Sequence, residues 1–227
     1  MKQSSYLRVW LEGRMTLKNI DKIAKEEPDY NAGFWLELNY SCPLHLVNDE
    51  RIYGLEESWK LNKEYFEAAK KKVRWFNGDI DHEDRYEILE TLGEPPDVCH
   101  PIYIITVKNA NKEEVVYVGK TISKKARFNG GHLVALKLLN PIYDGFTKQI
   151  YFGHIMLFTK SENHLPVDLL RNKKLAKTIV NDTETKLIRG LNPPLNTNKK
   201  GKPKSLLPFS ILIANRLNSL LNDELFV

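Results

Sequence analysis

The sequence predicts an α+β protein with a small three-stranded mixed sheet flanked by helices, preceded by a mainly helical N-terminal region. Three observations support this prediction. Residues 101–107 and 115–118 are runs of β-branched and aromatic residues on either side of a polar turn, which is typical of a β-hairpin. Residues 149–158 form a third run of the same kind. Segments with apolar residues at helical spacing lie before and after these runs.

Residues 1–97 form the N-terminal accessory region. Within it the patterns predict an amphipathic helix over 16–27, a strand over 33–40, and helices over about 56–76 and 83–92. A proline pair follows the last helix and separates this region from the first hairpin strand. DNA recognition and protein interaction, including inhibition, stay open as roles for these residues.

The candidate chemistry begins at the hairpin, because each of its strands carries a tyrosine, Tyr103 and Tyr117. Gly119 ends the second strand and permits a close approach of the backbone to a ligand, and Lys120 follows it directly. Ser123 is a candidate N-cap for a short cationic helix. The cations on that helix are Lys124, Lys125 and Arg127.

This arrangement resembles the GIY-YIG nuclease family, in which two strand tyrosines, a following lysine and a helical arginine surround a scissile phosphate. Ile102-Tyr103-Ile104 stands for the family's first motif and Tyr117-Val118-Gly119 for the second. Neither triplet is identical to the family's, since Ile102 takes the place of a glycine and Val118 that of an isoleucine. Further along, Glu184 and Asn196 match the family's metal-binding glutamate and terminal asparagine in type, order and spacing.

The resemblance implies a role for each matched residue. Glu184 would hold Mg²⁺ or Mn²⁺, and one carboxylate suffices because Mg²⁺ keeps most of its waters. One of Tyr103 and Tyr117 would act as general base and the other would position the phosphate, in an order that the sequence leaves open. Arg127 would clamp the phosphate and Lys120 would assist by its charge.

His132 matches the family less closely, because it lies one residue farther from Arg127 than expected and a Gly-Gly pair separates the two. A role as general base or phosphate ligand and a place outside the site are both open. Outside the matched motifs, we interpret His154, in the third strand, as structural or adjacent to substrate, and not as catalytic.

Each candidate also has an ordinary structural explanation. Tyr103 and Tyr117 could be cross-strand core residues. Glu184 could be a solvated helix residue paired with Lys177 or Lys186. Asn196 could close a turn after the two prolines.

Charge is divided unevenly along the chain. Residues 1–100 hold 14 basic and 20 acidic residues, a balance of −6, whereas residues 101–227 hold 20 and 9, a balance of +11. A positive field attracts the phosphate backbone of DNA without reading its sequence. The densest basic segment is either a DNA-backbone contact or a solvated linker. Its lysines are Lys199, Lys200, Lys202 and Lys204.

Composition favours a cytoplasmic protein. No apolar run approaches the roughly 20 residues that span a membrane, and the first residues lack the pattern of a signal peptide. The two cysteines, Cys42 and Cys99, have no zinc-ligand spacing and are expected to be reduced thiols.

The sequence as a whole predicts residues 98–200 as a nuclease domain and residues 201–227 as a basic loop followed by a helix over 206–225. The resemblance implies an Mg²⁺-dependent DNA endonuclease that leaves 5′-phosphate ends, with a type II restriction enzyme as the favoured role. The alternatives are a homing-type or structure-specific nuclease and a nucleic-acid-binding protein that does not cleave. A homodimer acting on double-stranded DNA would place one site at each strand.

Overall fold

The protein has an α+β architecture, as the sequence predicts. The computed structural model describes residues 6–72, 80–110, 112–123, 133–197, 206–217 and 224–226. Helices alternate irregularly with strands along the chain, and the strands join in one mixed sheet. Among the described residues, no helix is both long enough and apolar enough to cross a membrane.

The described helices begin and end at residues that suit helix termini. Thr16, Asp81 and Asn172 each accept a backbone N–H of the first turn. Gly93 and Asn192, both with positive φ, follow two of the helices. The helices are α1 (Tyr6–Leu11), α2 (Leu17–Ile23), α3 (Leu55–Lys70), α4 (His82–Leu92), α5 (Leu133–Lys137) and α6 (Lys173–Leu191).

The sheet contains the predicted hairpin and the predicted third strand as neighbours. Its strands are β1 (Phe34–Pro43), β2 (Ile102–Lys108), β3 (Glu113–Lys120), β4 (Thr147–Phe158), β5 (His164–Pro166), β6 (Ile211–Asn215) and β7 (Glu224–Phe226). The order is β3-β2-β4-β1-β6-β7, and β5 pairs with β4. Only the β1–β6 pair is parallel among the described pairs. The sheet is therefore mixed but larger than the predicted three strands.

The predicted C-terminal helix over 206–225 is wrong for the described residues. Residues 211–215 form β6, which lies parallel to β1 with Phe34 opposite Ile211, and residues 224–226 form β7. Ile211 and Ile213 are buried while Leu212 between them is half-buried, which is the alternation of a strand. The apolar residues satisfied a helical spacing as well, so pattern alone could not separate the two structures.

The accessory region contributes directly to this sheet. Its predicted strand is confirmed as β1, which lies between β4 and β6. The predicted helices over 16–27, 56–76 and 83–92 correspond to α2, α3 and α4, of which the first two are shorter than expected. Residues 73–76 of the second prediction lie outside the described part of the chain.

Apolar residues cover both faces of the sheet. Along β2, Ile102 and Ile104 belong to the cluster that packs under α6, whereas Tyr103, Ile105 and Val107 belong to a cluster on the opposite face. A separate cluster fills the space between α1, α2, α3 and α4, with Trp10 fully buried at its centre. The alternation along β2 therefore assigns each of its side chains to one face.

Candidate active site

Two residues singled out by the sequence meet where β3 ends. Lys120, the last residue of β3, places its Nζ 2.9 Å from Oε2 of Glu184 on α6. The same ammonium donates a hydrogen bond to Oδ1 of Asn181, one helical turn before Glu184. The Glu184 side chain is only 8% exposed and that of Lys120 is 25% exposed. A partly buried lysine thus joins two oxygen-bearing side chains from one face of α6.

This pairing tests the alternative in which Glu184 is a solvated helix residue paired with Lys177 or Lys186. Glu184 pairs with neither Lys177 nor Lys186. Lys177 pairs with Glu56 on α3, and the Lys186 ammonium lies 5.1 Å from the ring centroid of Phe209. The interpretation of Glu184 as a solvated residue of the helix surface is wrong, because it faces the sheet.

The two tyrosines also lie close to each other. The ring centroids of Tyr103 and Tyr117 are 6.0 Å apart, with an interplanar angle of 33°. Tyr103 is fully buried, and its ring lies against Gly119. A Cβ on Gly119 would sit 2.3 Å from Cζ of Tyr103 and 2.4 Å from its hydroxyl oxygen. The glycine of the second motif is therefore required by the tyrosine of the first.

The sheet separates these two pairs of residues. Residues opposite each other on neighbouring strands point to the same face, and Lys120 lies opposite Ile102, which packs under α6. Tyr103 and Tyr117 pack in the cluster of the other face. The structure therefore brings together the members of each pair, with the two pairs on opposite faces beside Gly119. A ligand in contact with both pairs would lie at the end of β3.

Asn196 stabilises the edge of β3. Its Nδ2 donates to the Val118 carbonyl at 2.8 Å, and its Oδ1 accepts the Val118 N–H at 2.8 Å. The Leu195 N–H donates to the Val116 carbonyl at 3.0 Å, so the turn after α6 continues the strand pairing. Both functional groups of the Asn196 amide therefore bind the backbone between Tyr117 and Gly119.

Several predicted site residues lie outside the described part of the chain. They are Lys124, Lys125, Arg127, His132, Lys199, Lys200, Lys202 and Lys204. Their roles stay predictions.

The donor set suits a hard cation with few protein ligands. Among the described residues no group of three or more His, Cys, Asp or Glu side chains could hold a metal ion. Glu184 supplies one carboxylate and Asn181 an amide oxygen three residues earlier, and Mg²⁺ binds through one or two carboxylates with water completing its shell. Both oxygens contact Lys120, so a cation there would share these side chains with the ammonium.

Two features of this region were not anticipated from the sequence. Asn181 is not part of any predicted motif, although its spacing of three residues from Glu184 places both on one helical face. His100 is buried next to the sheet, and its Nε2 donates to Asn39 Oδ1 at 3.0 Å. Burial, and then the neighbouring charge of His154, lower the pKa of His100 to about 3.

His154 and the cysteines have structural environments. Nδ1 of His154 lies 2.8 Å from the Cys99 carbonyl oxygen and Nε2 lies 3.0 Å from Met156 Sδ, with the side chain buried. Cys42 and Cys99 are both buried free thiols. Burial raises the pKa of Cys42 to about 11, so this thiol is a poor nucleophile.

No protein-family model, no curated protein and no solved structure matches this chain.

Proposed function

We propose that this protein is a metal-dependent DNA endonuclease of the GIY-YIG type, acting as a type II restriction enzyme. The contact between Lys120 and Glu184 carries the proposal. These residues belong to two motifs that were matched separately, and they form an ion pair across the sheet–helix interface. The predicted hairpin strands β2 and β3 and the predicted third strand β4 are neighbours within the larger sheet, and this adjacency supports the proposal.

The proposed chemistry assigns distinct tasks to the residues of the chain. Glu184 and Asn181 would hold Mg²⁺ or Mn²⁺, which supplies charge for the phosphoryl oxygens and lowers the pKa of a bound water. Lys120 would orient Glu184 and attract the phosphate to the end of β3. Tyr103 and Tyr117 would position the phosphate or accept a proton from the other side of Gly119.

The buried state of Tyr103 favours a second candidate function, a nucleic-acid-binding protein that does not cleave. A phenol that is fully buried in the hydrophobic cluster is poorly placed to contact a phosphate. The ion pair with Lys120 likewise engages the carboxylate that would bind the metal. The basic balance of residues 101–227 suits DNA binding in either case.

Cleavage of duplex DNA by wild type and Glu184→Gln separates these functions. Wild type with Mg²⁺ should yield discrete fragments with 5′-phosphate ends, and EDTA should abolish them. Glu184→Gln should cut at least about 100-fold more slowly while binding DNA at least as tightly, since the substitution removes the metal-binding charge.

A matched control is Glu27→Gln, which breaks an exposed ion pair with Lys160 beyond the end of β4. This variant should cleave like wild type. Equal cleavage by Glu184→Gln and Glu27→Gln would contradict the metal site. An intact duplex in every reaction, with binding retained, would instead support the non-cleaving function.

A further inference from the structure

A cavity of about 570 Å³ lies between α1, α2, α3 and the start of α6. Its walls include the aromatic side chains Tyr6, Trp59 and Phe66. Its lining carries the exposed cations Lys63, Arg171 and Lys173. Arg171 pairs with Asp21 of the same lining, and Nζ of Lys173 lies 4.9 Å from the ring centroid of Trp59. The polar residues Asn62 and Asp168 complete it. The cavity thus combines aromatic walls, a cationic margin and a polar interior.

Both polar residues leave a hydrogen-bond acceptor unused. Asp168 is 8% exposed and Asn62 is 3% exposed, and Oδ1 of each has no hydrogen-bond partner in the described structure. A buried acceptor without a partner costs about 1–3 kcal/mol. Two such atoms on residues that line one cavity lie just behind its wall, where a small shift of the wall would open them to a donor molecule.

A shared hydroxyl holds these two side chains beside each other. Ser58 Oγ donates to Asp168 Oδ2 at 3.0 Å and accepts from Asn62 Nδ2 at 3.0 Å. Asn62 Nδ2 also donates to the Ser58 carbonyl at 2.9 Å. Because a carbonyl only accepts, this bond fixes which end of the amide is the nitrogen and leaves Oδ1 as the unused atom.

Two adjacent acceptors select a ligand edge with two adjacent donors. Among the nucleobases, guanine alone presents such an edge, formed by N1–H and the N2 amino group. Adenine, cytosine and thymine each place an acceptor next to a donor on the corresponding edge. The aromatic walls suit stacking of a planar base, and Lys63 and Lys173 suit its phosphate.

We propose that this cavity binds a guanine nucleotide, with Asp168 Oδ1 and Asn62 Oδ1 accepting from N1–H and N2–H. The source is either a free nucleotide or a guanine unstacked from a DNA strand. Both oxygens are shielded from solvent, so binding requires a local shift of the cavity wall. Binding of a free nucleotide does not depend on the proposed nuclease function.

Calorimetric titration of the full chain with GMP, IMP and AMP in EDTA tests the proposal. IMP lacks only the N2 amino group, so its affinity should fall about 5- to 100-fold below that of GMP. AMP should bind more weakly still, because its N1 acceptor faces an acceptor. Equal affinities for the three nucleotides would overturn the proposal, and so would the absence of binding by GMP and by guanine-containing DNA.

Asp168→Asn tests the site itself, with Asp144→Asn on the exposed surface as the matched control. Asp168→Asn should weaken GMP binding at least 10-fold, and Asp144→Asn should not change it. Unchanged binding by a folded Asp168→Asn protein would overturn the assignment. If this variant does not fold, the nucleotide series on wild type still decides.

Oligonucleotides distinguish the two sources. A single-stranded oligothymidylate with one central guanine is compared with the same strand lacking guanine. Preference for guanine in the strand without binding of GMP assigns the site to DNA, whereas binding of GMP without strand preference assigns it to a free nucleotide. The titrations use no metal and measure no cleavage, so their outcome is independent of the Glu184 experiment.

Discussion

At the scale of single residues, the buried imidazole of His100 should make stability depend on pH. The unfolded state binds a proton near pH 6.5, but the folded state does so only near pH 3, because burial disfavours the imidazolium. The stability that comes from keeping His100 neutral is therefore fully present above pH 6.5, and this contribution is lost as the pH falls toward 3. We expect the free energy of unfolding to be about 2 kcal/mol lower at pH 5 than at pH 7 from this group.

Urea unfolding at the two pH values measures this effect, with His100→Gln for comparison. Glutamine keeps an amide that can donate to Asn39 Oδ1 but has no proton to gain in this range. The variant should lose most of the pH dependence even if it is less stable at pH 7. An equal loss of stability in both proteins would assign the pH dependence to other groups.

Two of the residues that the sequence singles out are in contact in the structure, but the sequence did not predict the geometry around them. Lys120 and Glu184 were both identified, and their ion pair joins two separately matched motifs. The burial of Tyr103 and its separation from Glu184 by the sheet could not be predicted in the same way. Tyr103 is buried against Gly119 because the hairpin register places the two opposite each other. Tyr103 is separated from Glu184 because α6 packs on the other face of the sheet.

At the scale of elements, we expect the buried side chains of β6 to contribute as much to the free energy of unfolding as those of the predicted strands. Ile213 is buried in the cluster under α6 and lies opposite Leu36 of β1, which is also buried. Ile213→Ala should lower the free energy of unfolding by about 3 kcal/mol, because it removes buried methyl groups and leaves a cavity. Leu212→Ala should cost about 1 kcal/mol or less, since that neighbouring side chain is only half-buried.

Urea unfolding of both variants checks this difference between the faces of β6. Similar costs at Ile213 and Leu212 would contradict the strand, because a helix would not alternate burial between adjacent residues. The sequence could not provide this assignment. A parallel strand is selected by a distant partner, here β1, some 180 residues earlier in the chain.

At the scale of the whole molecule, one sheet links the acidic N-terminal half to the basic remainder. β1 comes from the half with a charge balance of −6 and pairs with β4 and β6 from the half with a balance of +11. Composition predicted the contrast of charge. It could not predict that both halves share a sheet, because strand pairing between distant segments leaves no trace in local patterns.

The surface also offers a place for the predicted homodimer. Leu133, Leu136, Leu139 and Ile142 recur at every third position in and after α5, and each is between 65% and 72% exposed. Large apolar side chains exposed together in one stretch of chain favour burial against another surface. A two-fold contact through this stripe would bury the same four side chains on both copies. We therefore expect a second copy of this chain to cover the stripe, which would provide one candidate site for each DNA strand.

Sedimentation analysis between about 1 and 100 µM tests this assembly. Wild type should approach the mass of a dimer, whereas Leu136→Glu should remain monomeric because a carboxylate at the centre of the contact would lose its water. The matched control is Leu46→Glu, an exposed leucine outside the stripe, which should associate like wild type. A monomeric wild type at the highest concentration would contradict the dimer. A two-fold contact centred on Leu136 would bring the two introduced charges together. Equal association by both variants would therefore show that the dimer contact does not include α5.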